Sequence, residues 1–226
     1  IRIISFLFFF KKIKMLKTLV KASHITNLTD ARYFAALEAK WLGFNLEIGS
    51  ETYIEPQKIM AIKEWVEGPK IVGEFGMQDV ETIKSAVEHI QFDAIQLGHF
   101  SGVSHAMLLR DIPIIKEFVI EDKLDVDAIG EHLFTFSSYV ETFLLSGSLK
   151  WSSIKEDSFA IEFLKNICSK YQVVLAIDIE PSDILDLLEK VEPYGIGVTG
   201  GEEEAVGVKS FDELDELFDA IMIEET

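Results

Sequence analysis

The chain is poor in cysteine, in positive charge and in long apolar runs. Its one cysteine, Cys168, forms no internal disulfide, which fits a reducing, cytoplasmic compartment. Cys168 falls in a helical pattern, where a lone cysteine reads as a small buried hydrophobe. Lys and Arg number 21 against 39 Asp and Glu, for a net charge of −18. Such a surface repels phosphate backbones and anionic lipid, so neither nucleic acid nor membrane is expected as a partner. The apolar run 3–10 is too short to span a bilayer, and its basic residues Lys11, Lys12 and Lys14 follow it, whereas a signal peptide puts them in front. Residues 1–14 therefore read as an N-terminal extension outside the fold, and residues 15–226 as one domain. No G-x-G-x-x-G follows the first strand, and there is no P-loop or zinc-type Cys cluster. No cofactor or metal is expected.

What is present is a sufficient core, with 48% hydrophobic residues, and a regular alternation of elements. Residues 19–23 are short, apolar and β-friendly. Asn27 and Thr29 offer caps to a helix carrying Ala31, Phe34, Ala35 and Leu37, and 41–44 is the next strand. Further strands are expected at 71–75, 94–97, 113–120, 142–145, 173–177 and 195–198. Helices are expected at 56–67, 79–89, 104–109, 158–170, 181–191 and 211–222, with a short irregular one at 125–131. The strands are continuous apolar runs, as in a parallel sheet covered on both faces. Eight such units predict an α/β fold, a single-domain (βα)8 TIM barrel; an open doubly wound sheet is the alternative.

In a barrel, residues at the strand C-terminal ends gather at one mouth. Ser23, His24, Glu47, Glu74, His99, Glu117, Ser146 and Asp178 fall near such ends. His24 with Asp178 could serve as an acid–base or metal pair. The plainer account is that barrel mouths are polar in general and that Ser23 and Ser146 only fill space. Lys21 sits inside a strand pattern, so pointing into the barrel it would need a carboxylate, from Glu74 or Asp178; a structural ion pair and a catalytic Lys are both open readings.

The run Val20-Lys21-Ala22-Ser23-His24-Ile25-Thr26, followed by Asp30-Ala31, resembles the opening V-K-I-C-G-I-T of the phosphoribosylanthranilate isomerase family. Leu42-Gly43-Phe44, Tyr53-Ile54-Glu55-Pro56, Asp93-Ala94-Ile95-Gln96-Leu97 and Gly207-Val208-Lys209 extend the resemblance to the C-terminus. It implies a (βα)8 barrel and a tryptophan-pathway Amadori rearrangement of an aminoaldose to an aminoketose. In that reaction an Asp acts as general acid, a Cys as general base, and backbone loops after strands seven and eight hold phosphate. This sequence departs from the pattern at the working positions. The family Cys falls on Ser23, the following Gly on His24, the Asp on Ser146 and an Arg on Thr52. The loop after strand seven carries Asp178, and Thr199-Gly200-Gly201 is followed by Glu202-Glu203-Glu204. Gln96 stays in the family's Q-L-H-G strand end. The resemblance thus implies an isomerase-like barrel that has lost the reaction, with substrate-binding positions at Thr52, Gln96, Asp178, Thr199, Gly200 and Gly201. It also implies a small phosphorylated or sugar-like ligand. Two alternatives stand beside it. One is a retained isomerase in which His24 replaces the base; the other is a barrel enzyme for a different, less anionic substrate. Oligomeric state is not legible in the sequence.

Overall fold

The structure is a computed structural model that describes residues 15–200, 203–205, 208–209 and 211–223. The expected extension, 1–14, and the candidate residue Gly201 lie outside the described residues. Eight strands, β1 (Leu19–Ser23), β2 (Trp41–Asn45), β3 (Lys70–Phe75), β4 (Ala94–Leu97), β5 (Ile114–Ile120), β6 (Thr142–Lys150), β7 (Val173–Asp178) and β8 (Gly195–Thr199), form a closed barrel in chain order. β8 returns to β1 in parallel, from Leu19↔Gly195 to Ser23↔Thr199. Closure removes the open doubly wound sheet as an alternative.

Besides a single turn at Trp151–Ile154, the helices are α1 (Leu28–Ala36), α2 (Pro56–Lys63), α3 (Val80–Ile90), α4 (Val103–Leu108), α5 (Val126–Phe136), α6 (Ser158–Lys170), α7 (Ile184–Val191) and α8 (Asp212–Ile221). Side-chain caps start several of them. Asn27 accepts from the Asp30 amide, Asp79 from Thr82, Asp125 from Ala128, and Asp157 from Phe159 and Ala160. Pro56 opens α2, and Pro181 opens a 3-10 turn that leads into α7. An antiparallel ribbon of Met15–Leu16 with Met222–Ile223 ties the described ends together.

Three elements differ from the sequence expectation. α5 is a regular helix of 11 residues, with Ile129, Leu133 and Phe136 buried on one face. Gly130, a poor helix former, has open space where a Cβ would stand, and packing of the buried face decides the helix. α2 ends at Lys63, and the chain then turns through Gly68 at φ +109°. β6 continues to Lys150, past the expected end at 145, with a register shift between Ser146 and Lys150.

The barrel interior is layered with the strand period of two. Trp41, Val72, Ala94, Ile115, Leu144 and Val174 form an apolar cluster separate from the larger core under the helices. Two residues further along the same strands stand Gly43, Glu74, Gln96, Glu117, Ser146 and Ala176. The floor is apolar and the layer above it is polar. This second layer positions the site.

Gly147 marks where β6 bends over the mouth. Its φ is +133°, and an added Cβ would run into the Ile120 carbonyl. Gly147→Ala is therefore expected to destabilise the fold by about 2–4 kcal/mol, through a positive-φ penalty plus a backbone clash. A urea or thermal melt indistinguishable from wild type would refute this.

Candidate active site

The centre of the polar layer is an ion pair. Lys21 is fully buried, and its Nζ donates to Glu74 Oε1 at 2.6 Å and to Ser23 Oγ at 2.7 Å. The other Glu74 oxygen accepts from the His24 amide at 3.1 Å, with the His24 Nε2 at 3.7 Å. Burial alone would push the Glu74 carboxyl up. The attraction of Lys21 and His24, with their hydrogen bonds, outweighs that and holds it below the ordinary glutamate value. The pair lies over Gly43, where an added Cβ would overlap the Glu74 carboxylate. Of the two carboxylates that could meet Lys21, the structure selects Glu74. Asp178 is 3.7 Å from Lys150 instead, at the exposed rim.

His24 occupies the position where the family has glycine, and its backbone is left-handed at φ 57°. A non-glycine residue there costs about 1–2 kcal/mol. Its imidazole, 44% exposed, faces Glu74 and makes no ion pair with Asp178, so the expected His24–Asp178 pair does not form. Among the described residues no group of His, Cys, Asp and Glu is arranged to hold a metal ion.

Beside the ion pair opens a cavity of about 840 Å³ at the C-terminal ends of the strands. It is off-centre: its wall comes from β1 and β4 to β8 and from the start of α8, while the β2–β3 sector is filled by Glu74 over Gly43. Ser23, His24, Gln96, Ser146, Asp178, Thr199 and Gly200 all line it. Thr52 does not. It bonds the Asn45 amide at 2.8 Å and sits 3.2 Å from the Ser50 hydroxyl, inside the loop after β2. Neither Glu47 nor His99 reaches the cavity. Glu47 accepts from the Gly76 and Met77 amides, and His99 Nδ1 accepts from the Val119 amide.

Glu117 lines the cavity and partners Ser146. Ser146 Oγ donates to Glu117 Oε1 at 2.6 Å, so a carboxylate from β5 stands beside the position of the family acid on β6. Only its position two residues after Ile115 could have signalled this. The neighbouring Lys116 points the other way and is buried; it donates to the Gly98 carbonyl at 2.5 Å and the His99 carbonyl at 3.1 Å. Burial lowers its pKa to about 8 against the opposing pull of Glu117. Cys168 is unpaired, and burial pushes its thiol up to about 12, so it is an inert packing residue as expected.

The electrostatics of the mouth are one-sided. Glu117, Asp178, Asp212 and Glu213 line it, and no Lys or Arg does so among the described residues. Asp212 and Glu213 occupy the first turn of α8, so the positive end of that helix faces carboxylates of its own chain. A like-charged pair 4 Å apart costs about 4 kcal/mol at an effective dielectric of ~20.

A closed (βα)8 barrel with a polar cavity at the C-terminal mouth defines the class: a TIM barrel with its cavity at the face where barrel enzymes carry their active sites. The family model described as "PRAI: N-(5'phosphoribosyl)anthranilate (PRA) isomerase" matches residues 20–220. The N-(5'-phosphoribosyl)anthranilate isomerase of Chlorobium chlorochromatii is 27% identical over 202 residues, covering 84% of this chain and 90% of that protein. The phosphoribosyl anthranilate isomerase structure from Thermus thermophilus superposes with a TM-score of 0.70 at 28% identity, covering 90% of this chain and 98% of that one. The Thermotoga maritima enzyme, at 21% identity, shares the fold with a TM-score of 0.73 over the same shares of each chain. This chain belongs to the N-(5'-phosphoribosyl)anthranilate isomerase family.

The buried pair makes a definite stability prediction. Glu74→Gln leaves the Lys21 charge without its counter-ion and should cost about 3–5 kcal/mol. Because folding depresses the Glu74 pKa, its contribution is complete above the ordinary value of 4.5 and is lost as pH falls through the folded pKa. Wild-type stability should therefore decline below pH 4.5 more steeply than that of the variant, as read from urea midpoints between pH 3 and 7. Parallel pH profiles would contradict the assignment.

Proposed function

We propose that the chain is a ligand-binding barrel of the phosphoribosylanthranilate isomerase family that no longer carries out the Amadori rearrangement. The observation that carries this reading is the state of the two serines at the family's base and acid positions. Ser23 Oγ accepts from Lys21, whose charge is held by Glu74, so Lys21 is not free to take the serine proton. Ser146 donates its proton to Glu117. Neither hydroxyl changes protonation state near neutral pH, as general acid–base work requires. The anionic wall, and Thr52 turned into its own loop, also remove the means of holding an anionic substrate. Family membership supports an origin in tryptophan biosynthesis and a cytoplasmic setting. The acidic composition supports a small-molecule ligand over nucleic acid or membrane, and no described helix is long and apolar enough to cross a membrane.

One observation favours a second reading. Glu117 stands beside the acid position, and His24 is one residue from the base position, so an isomerase with relocated acid and base has its groups in the mouth. Complementation of a tryptophan auxotroph lacking this isomerase separates the two. We expect no growth, and no rescue by Ser23→Cys combined with Ser146→Asp, because the cation and a phosphate loop are also gone. Growth that depends on the protein and disappears with Glu117→Gln would establish the second reading instead.

A further inference from the structure

Gln96 is the least satisfied group in the cavity wall. It is 4% exposed, lines the cavity from β4, and has no hydrogen bond from its carboxamide within the described residues; its Oε1 is fully buried. A buried amide without a partner is unfavourable; its Oε1 is closed off from the cavity, and its Nε2 can donate to a ligand hydroxyl. On the next strand stands Glu117, the most buried of the four cavity carboxylates; Asp178, Asp212 and Glu213 are exposed. Glu117 receives one neutral hydrogen bond, from Ser146. Asp178 is offset at the rim by Lys150. The wall thus combines a half-buried anion, an unpartnered amide and the hydroxyls of Ser23, Ser146 and Thr199. Hydroxyls and an amide suit a polyol; the anion suits an ammonium group.

We propose that the mouth binds a small unphosphorylated amino polyol, with its ammonium on Glu117 and a hydroxyl on Gln96. The inference rests on the reading that the barrel keeps a ligand-binding mouth without the family reaction, and it names the ligand class. It inverts the charge preference that a phosphosugar site requires. The charged group of the ligand replaces part of its hydration with Glu117 and the acidic rim, and the hydroxyls replace theirs with Gln96 and the serines.

The test compares glucamine, sorbitol, sorbitol 6-phosphate and ethylammonium by thermal shift and calorimetry on the full chain, at neutral pH and low salt. Glucamine should raise the melting temperature and bind about tenfold more tightly than sorbitol, because it adds a charge pair. Sorbitol 6-phosphate and ethylammonium should give no shift. Glu117→Gln should abolish the preference for glucamine over sorbitol, and Gln96→Leu should weaken both. If Glu117→Gln fails to fold, the wild-type ranking and the exposed Asp178→Asn variant, expected to bind glucamine a few-fold more weakly, decide the matter. Best binding by the phosphate ester, equal binding of glucamine and sorbitol, a response to ethylammonium equal to that of glucamine, or no shift with any probe would overturn the proposal. Absent glucamine binding together with failed complementation overturns this inference alone; growth of the auxotroph overturns the preceding reading, whatever the titration gives.

Discussion

The Lys21 ammonium and the Glu74 carboxylate meet inside the barrel, where neither charge could remain alone. Their pairing constrains the residues around them. Glu74 can cross to Lys21 only because Gly43 on the intervening strand has no side chain. The second carboxylate oxygen takes the His24 amide, which fixes the start of the loop after β1 in a left-handed turn. Lys21 in turn occupies the Ser23 hydroxyl. One buried interaction thus fills the β2–β3 side of the mouth, leaves the cavity to the remaining strands, and ties down the hydroxyl at the end of β1.

The remaining side of the mouth is governed by charge. The family scaffold suits anions in two ways, through backbone loops at the ends of β7 and β8 and through the positive end of the last helix. In this chain the first is interrupted by Asp178, and the second faces Asp212 and Glu213. Glu117 adds a carboxylate beside the former acid position. These changes act in the same direction. They leave a cavity of about 840 Å³ whose described wall carries carboxylates and no Lys or Arg. The apolar floor and the helix-facing core lie beneath the polar layer and do not include the cavity carboxylates.

The fold was legible in the sequence because its determinants are local. Eight apolar runs, Asn and Asp caps, and prolines at helix starts each act within a few residues, so strand order and helix placement followed from pattern. The misjudged elements, α2, α5 and the long β6, are those where packing or a positive-φ glycine overrides local preference. The site was legible as a set of positions at strand ends. Of the positions taken from the family pattern, Ser23, His24, Gln96, Ser146, Asp178, Thr199 and Gly200 line the cavity, Thr52 turns into its own loop, and Gly201 is outside the described residues.

Partnership was a different matter. The sequence by itself determined the barrel, the family and the substitution of its working groups, because those follow from residue type and spacing. It also required a carboxylate for Lys21, since a charge inside a strand must be met. Only the tertiary structure decided that the carboxylate is Glu74 and not Asp178, that His24 faces Glu74, and that Glu117 stands at Ser146. Those choices depend on barrel register, which sets residues 53 apart at 2.6 Å and leaves others at the same strand level on opposite sides of the mouth. Register is a property of the closed sheet, and no single strand carries it.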